Sequence, residues 1–131
     1  MKKITAVLLT ITLFLTLFSC QKDNSGLVAT VEVTVYDVSL TNPLKGETVY
    51  LMMDEIGLNP KPADAVRRVN TNADGIATFR LNINDLNIVE METRLVFMVF
   101  FTYQGLELRD SKEIKVKRGE NNPQITLKII K

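Results

Sequence analysis

The chain contains no histidine, no tryptophan and a single cysteine, Cys20. Lack of histidine removes the commonest general base and the commonest metal ligand at neutral pH. Serine–histidine and cysteine–histidine nucleophile systems are excluded with it. Lack of tryptophan leaves any sugar stacking to Tyr36, Tyr50 and Tyr103. No basic excess is present either. The formal charge is +1 over 131 residues, which is not the clustered basic footprint of a nucleic-acid binder. No apolar run reaches the roughly 20 residues that a membrane-spanning helix needs.

What is present begins with a leader. Lys2 and Lys3 give a positive start, Ile4 to Phe18 form an apolar run broken only by threonines, and Ser19 is a small residue at its end. This pattern predicts a secretory signal over residues 1–19, cleaved before Cys20. A lone cysteine in an exported protein would ordinarily be a reactive thiol or an intermolecular bridge.

Leu17-Phe18-Ser19-Cys20 resembles the lipobox of bacterial lipoproteins. The resemblance implies that Cys20 carries diacylglycerol and becomes the acylated N-terminus. Each buried CH₂ of an acyl chain contributes about 0.8 kcal/mol, and two or more chains hold a protein on a bilayer stably. Gln21-Lys22-Asp23-Asn24 is similar to the surface-export run of Bacteroidetes-type lipoproteins, with one acidic residue instead of several. No aspartate follows Cys20 directly, which by analogy points to the outer membrane. Surface and periplasmic display both stay open.

The leader carries no acid, so losing Lys2 and Lys3 takes the charge from +1 to −1. Residues 20–26 read as the lipidated cysteine with a short tether, and residues 27–131 as one domain of ordinary size. The stretch from Leu106 to Lys131 holds seven basic and four acidic residues. It is expected to be a solvated basic edge, or a docking face for an acidic partner or lipid headgroups.

Past the tether the pattern has period two. Leu27, Ala29, Val31, Val33 and Val35 alternate with Val28, Thr30, Glu32, Thr34 and Tyr36, which predicts a strand with one apolar face. Further strands are expected at Glu47–Met53, Ala65–Thr71, Ile76–Leu81, Arg94–Tyr103, Leu106–Lys117 and Gln124–Lys131. The run Leu95 to Phe101 is apolar throughout, so that strand should be covered on both faces and lie centrally. Asn72-Ala73-Asp74-Gly75 signals a hairpin, because glycine supplies the positive φ of a tight turn. The segment from Asn82 to Glu92 is expected either to hold a single helical turn opened by Asn84-Asp85-Leu86 or to be an irregular crossover. The sum is an all-β fold, an antiparallel sandwich of about seven strands.

Two stretches carry a family resemblance. Pro43-Leu44-Lys45-Gly46-Glu47-Thr48-Val49-Tyr50-Leu51 is similar to one segment of carboxypeptidase-regulatory-like domains. Thr71-Asn72-Ala73-Asp74-Gly75-Ile76-Ala77-Thr78-Phe79 looks like their turn segment. The usual glycine of their first strand is missing here. The resemblance implies a transthyretin-like, Ig-type sandwich that is non-catalytic and serves as a spacer, stalk or partner-binding accessory.

No catalytic residue, cofactor or metal site is expected. Asp54, Glu55 and Asp64 offer oxygens for calcium but lack the spacing of a known loop motif. Glu90 and Glu92 lie on no convincing cleft element, Arg67 and Arg68 should face opposite ways, and Asp74-Gly75 is turn chemistry. The longest loop is the best recognition candidate: Ile56, Gly57, Leu58, Asn59, Pro60, Lys61 and Pro62, with Leu58, Pro60 and Pro62 giving apolar contact area. The expected partners are a membrane, through the lipid anchor, and an envelope protein. A secretion-machine assembly role and glycan binding are the alternatives.

Overall fold

A computed structural model describes residues 26–53, 56–86, 92–119 and 121–130. Residues 1–25, with the expected leader, Cys20 and most of the expected tether, lie outside the described residues. Seven strands form two sheets: β1 (Leu27–Asp37), β2 (Thr48–Met53), β3 (Arg67–Asn70), β4 (Ile76–Asn82), β5 (Glu92–Tyr103), β6 (Leu106–Lys117) and β7 (Gln124–Ile129). One sheet has the order β4-β1-β7 and the other β3-β2-β5-β6. The expected all-β sandwich is the fold, with one departure: β7 runs parallel to β1, from Glu32↔Gln124 to Asp37↔Ile129, while every other pairing is antiparallel.

The sheets face each other through the residues that the period-two pattern singled out. Val31, Val33 and Val35 of β1, Ala77, Phe79 and Leu81 of β4, and Leu127 of β7 meet Val49 and Leu51 of β2 and Leu95, Phe97 and Val99 of β5, all with no solvent exposure. Phe79 and Phe97 touch edge to face across the gap, their centroids 5.0 Å apart at 72°. That arrangement sets the positive ring edge against the negative ring face. A register shift between Leu27 and Ala29 buries Val28 as well, as expected where two residues of a bulge oppose one.

Asn72–Gly75 is a turn, with Gly75 at φ +72° and its N–H donating to the Asn72 carbonyl at 3.0 Å. It is not the expected hairpin. β3 hands its edge to β2 and β4 hands its edge to β1, so the turn carries the chain from one sheet to the other. Arg67 bridges the gap, its guanidinium donating to the Arg80 carbonyl at 2.8 Å and pairing with Asp85 at 2.9 Å. Asp85 lies in the four-residue helix α1 (Ile83–Leu86), where the side chain of Asn82 accepts its N–H at 2.8 Å. The opposite edges meet where the Lys128 N–H of β7 donates to the Asp110 carboxylate of β6 at 2.8 Å.

The two family-like stretches are one structural unit. Thr71 is the single buried polar residue among those described. Its hydroxyl donates to the Leu44 carbonyl at 2.5 Å and accepts the Glu47 N–H at 3.0 Å. Its backbone takes the Gly46 N–H at 3.0 Å and donates to the Glu47 carbonyl at 2.9 Å. A Cβ at position 75 would lie 2.6 Å from Pro43 Cβ and 2.9 Å from the Leu44 nitrogen, so only glycine fits there.

Candidate functional site

β5 explains why the longest loop lies where it does. Its odd residues Leu95, Phe97 and Val99 enter the main core. Its even residues Val96 and Met98 are nonetheless 5% exposed, on the outer face of the four-stranded sheet. Together with Met52 they form a second, smaller apolar cluster, packed by Tyr50, Ile56, Ala65 and Phe100. Ile56 and Ala65 belong to the loop, which therefore covers the outer face of β2 and β5. β5 sits between β2 and β6, central and covered on both faces, as its continuous apolar run predicted.

The loop is held by specific contacts. The Arg109 guanidinium of β6 donates to Asn59 Oδ1 at 3.1 Å and to the Leu58 carbonyl at 3.2 Å. The Lys61 N–H donates to the Asp64 carboxylate at 2.7 Å, which starts a 3-10 turn over Pro62–Asp64. Pro60 is buried under the loop, so the expected apolar contact area is reduced to Leu58 and Pro62. Leu58 is the extreme case, at 101% exposure. Between the loop and the β5–β6 ribbon lies an open groove of about 510 Å³, with Phe100 and Leu108 as apolar lining and Lys61, Glu107 and Arg109 as charged lining. Nothing in the loop's own sequence points to Arg109, fifty residues further on.

The other candidates fall apart spatially. Arg67 is half-buried and engaged with Arg80 and Asp85, while Arg68 is exposed on the opposite face of β3. Glu92 pairs with Lys115 at 3.7 Å, and Glu90 lies outside the described residues. Asp54 and Glu55 also lie outside them, and Asp64 is taken up by its own turn. Asp74 is an exposed turn residue whose N–H donates to Asn72 Oδ1. Among the described residues no three carboxylates converge on a point. Tyr50 is half-buried and packed edge to face on Phe100 at 5.3 Å, Tyr36 is half-buried on β1, and Tyr103 is exposed at the end of β5. The basic residues of β6 interleave along the strand with Glu107, Asp110 and Glu113. No helix among the described residues is long and apolar enough to cross a membrane.

One polar cluster was not anticipated. Asp37 ends β1, and its carboxylate accepts the Ser39 hydroxyl at 2.7 Å and the Asn42 amide at 2.6 Å. These bonds, with the Thr41 N–H, hold its pKa down from 3.8 to about 2. They fix the β1–β2 loop with Leu40 at φ +60° and leave Val38 and Leu40 exposed. The spacing Asp37-x-Ser39-x-Thr41-Asn42 is the legible signal, since short polar side chains bond their own backbone in such turns.

No protein-family model matches this chain, and no curated protein matches it. Among solved structures it is similar to part of the crystal structure of a 9R-lipoxygenase from Cyanothece PCC8801, at 12% identity and a TM-score of 0.42. The likeness covers 84% of this chain and 17% of that one. It carries no argument about function.

Proposed function

We propose that this protein is a lipid-anchored, non-catalytic envelope β-sandwich that holds or scaffolds other proteins at the outer membrane. The observation that carries the reading is Leu17-Phe18-Ser19-Cys20 at the end of a lysine-led apolar run, with β1 starting at Leu27. So short a spacer supports a domain held close to the bilayer. The family-like stretches support an inert module, since they act as a lock between β1, β2 and β4 and supply no group to a cleft. Leu58, presented on a loop braced by Arg109, supports a protein-contact role, because a rigid scaffold lowers the ordering cost of binding. The same braced knob favours docking into a larger envelope assembly over glycan binding.

Fractionation of cells tests the reading. Wild type is expected in the outer-membrane fraction and resistant to salt and alkaline washes. Cys20→Ala should be soluble or retained as an uncleaved precursor. A Cys20→Ala protein that fractionates like wild type would overturn the anchor. Crosslinking of intact envelopes should yield a stoichiometric protein partner that Leu58→Asp loses without a change in unfolding midpoint.

A further inference from the structure

We propose that β6 is a homotypic docking edge, and that a second copy of this chain pairs with it antiparallel about Ser111. β6 is the outer strand of its sheet, twelve residues long, and its register with β5 is unbroken from Glu92↔Lys117 to Tyr103↔Leu106. Among the described residues no strand pairs with its outer edge. The two-residue turn at Gln104-Gly105, with φ of 50° and 80°, makes Tyr103 and Leu106 a hydrogen-bonded pair. The even residues of β6 therefore turn their backbone groups to β5, and the odd residues turn theirs outward. Ser111 agrees, since its N–H is not in the β5 ladder and donates to the Asp110 carboxylate at 3.0 Å.

The charges of β6 are palindromic about that residue. Folding the strand onto an inverted copy at Ser111 sets Glu107 opposite Lys115, Arg109 opposite Glu113 and Asp110 opposite Lys112. The same operation sets Leu108 opposite Ile114 and Leu106 opposite Val116. Every charged pair is of opposite sign and every apolar residue meets an apolar one; Arg109, Glu113 and Lys115 also have partners in their own chain (Leu58 and Asn59, Arg94, and Glu92), so the second copy shares these exposed charges with those partners. Leu106 is 64% exposed in the single chain, whereas Val116 opposite it is already buried in the core, so the charges carry more of the pairing than the apolar ends do. The register is unique. A slip of two residues one way sets Lys112 against itself and Arg109 against Lys115. The opposite slip sets Asp110 against itself and Glu107 against Glu113. Charged residues normally guard an edge strand against foreign strands. Here they guard it against all but its own copy, which is specificity by attraction and repulsion together.

The pairing is isologous, with each contact occurring twice. It joins two four-stranded sheets into one of eight. In the paired state the Ser111 N–H passes from Asp110 to the Ser111 carbonyl of the second copy, and the Asp110 oxygen so released faces the second copy's Lys112 while the other oxygen keeps the Lys128 N–H. Gly119 bonds Leu27 at 3.3 Å, so the chain enters the fold at the Lys117 end of β6. The two Gly26 ends thus lie at opposite ends of the paired strands, and two tethers on one bilayer would lay the strands along its plane.

The test is crosslinking of the full chain in cells with a short thiol-specific reagent, with wild type as baseline. Ser111→Cys should give a dimer of twice the chain mass, because the two Cα atoms of a hydrogen-bonded pair lie about 5.5 Å apart. Arg109→Cys alone should not, while co-expressed Arg109→Cys and Glu113→Cys should. In the Ser111→Cys background, Glu107→Lys turns two opposite-charge contacts into like-charge ones and should weaken association about ten-fold. Adding Lys115→Glu should restore the dimer, which separates lost pairing from lost folding. Absence of the Ser111→Cys dimer, a dimer indifferent to Glu107→Lys, or a crosslinked band of another mass would overturn the proposal.

Discussion

The two sheets turn different outer faces to their surroundings. On the three-stranded sheet Thr30, Glu32, Thr34 and Tyr36 of β1 lie between Ile76, Thr78 and Arg80 of β4 and Gln124, Thr126 and Lys128 of β7, a mostly polar surface that reaches water. On the four-stranded sheet the equivalent positions are Tyr50, Met52, Val96, Met98 and Phe100, and the chain lays a loop over them. A sheet can leave one face in water as long as that face alternates to polar residues, as the three-stranded sheet does despite its parallel β1–β7 pair. β5 does not alternate, so its second face has to be covered. The loop's position follows from that requirement, and only what remains above the loop, Leu58 foremost, is left for recognition.

Phe97→Ala empties the seam between the sheets and should cost about 3–5 kcal/mol in urea unfolding. Its neighbour Met98 points the other way, under the loop. Met98→Ala should cost less, about 2 kcal/mol, because the loop can settle into the space. A loss equal to that of Phe97→Ala would mean that the two clusters are one core. Arg109→Ala unpins the loop and should cost only about 0.5–1 kcal/mol. It should also raise the rate of proteolytic cleavage within residues 56–66. Thr126→Ala, on the polar outer face, should stay within about 0.5 kcal/mol of wild type.

The smallest effect belongs to Asp37. Its pKa is lowered on folding, so its contribution is present above the ordinary aspartate range and is lost as pH falls through about 2. The thermal midpoints of wild type and Asp37→Asn should differ near neutral pH and converge between pH 3.8 and about 2. Parallel curves across that window would remove the carboxylate from the account.

What could be read in advance follows the range of the interaction. The alternation of Leu27 to Val35 and the unbroken run Leu95 to Phe101 report local burial, and the strands and the central place of β5 followed from them. The turn at Asn72–Gly75 was legible, but its outcome was not. The same φ values serve a hairpin and a change of sheet, and distant pairing with β1 decides between them. The parallel contact of β1 with β7, the burial of Pro60 and the Arg109 brace depend on residues tens of positions apart, so no local pattern carries them. The palindrome of β6 was present as letters all along. It acquires meaning only once β6 is known to be an outer strand.

The lipid proposed on Cys20 is open to mass spectrometry of the N-terminal peptide from membrane-extracted protein. The expected chain starts at Cys20 and carries the added mass of a diacylglyceryl group. A peptide that retains residues 1–19, or one that begins at Cys20 with an unmodified thiol, would contradict it.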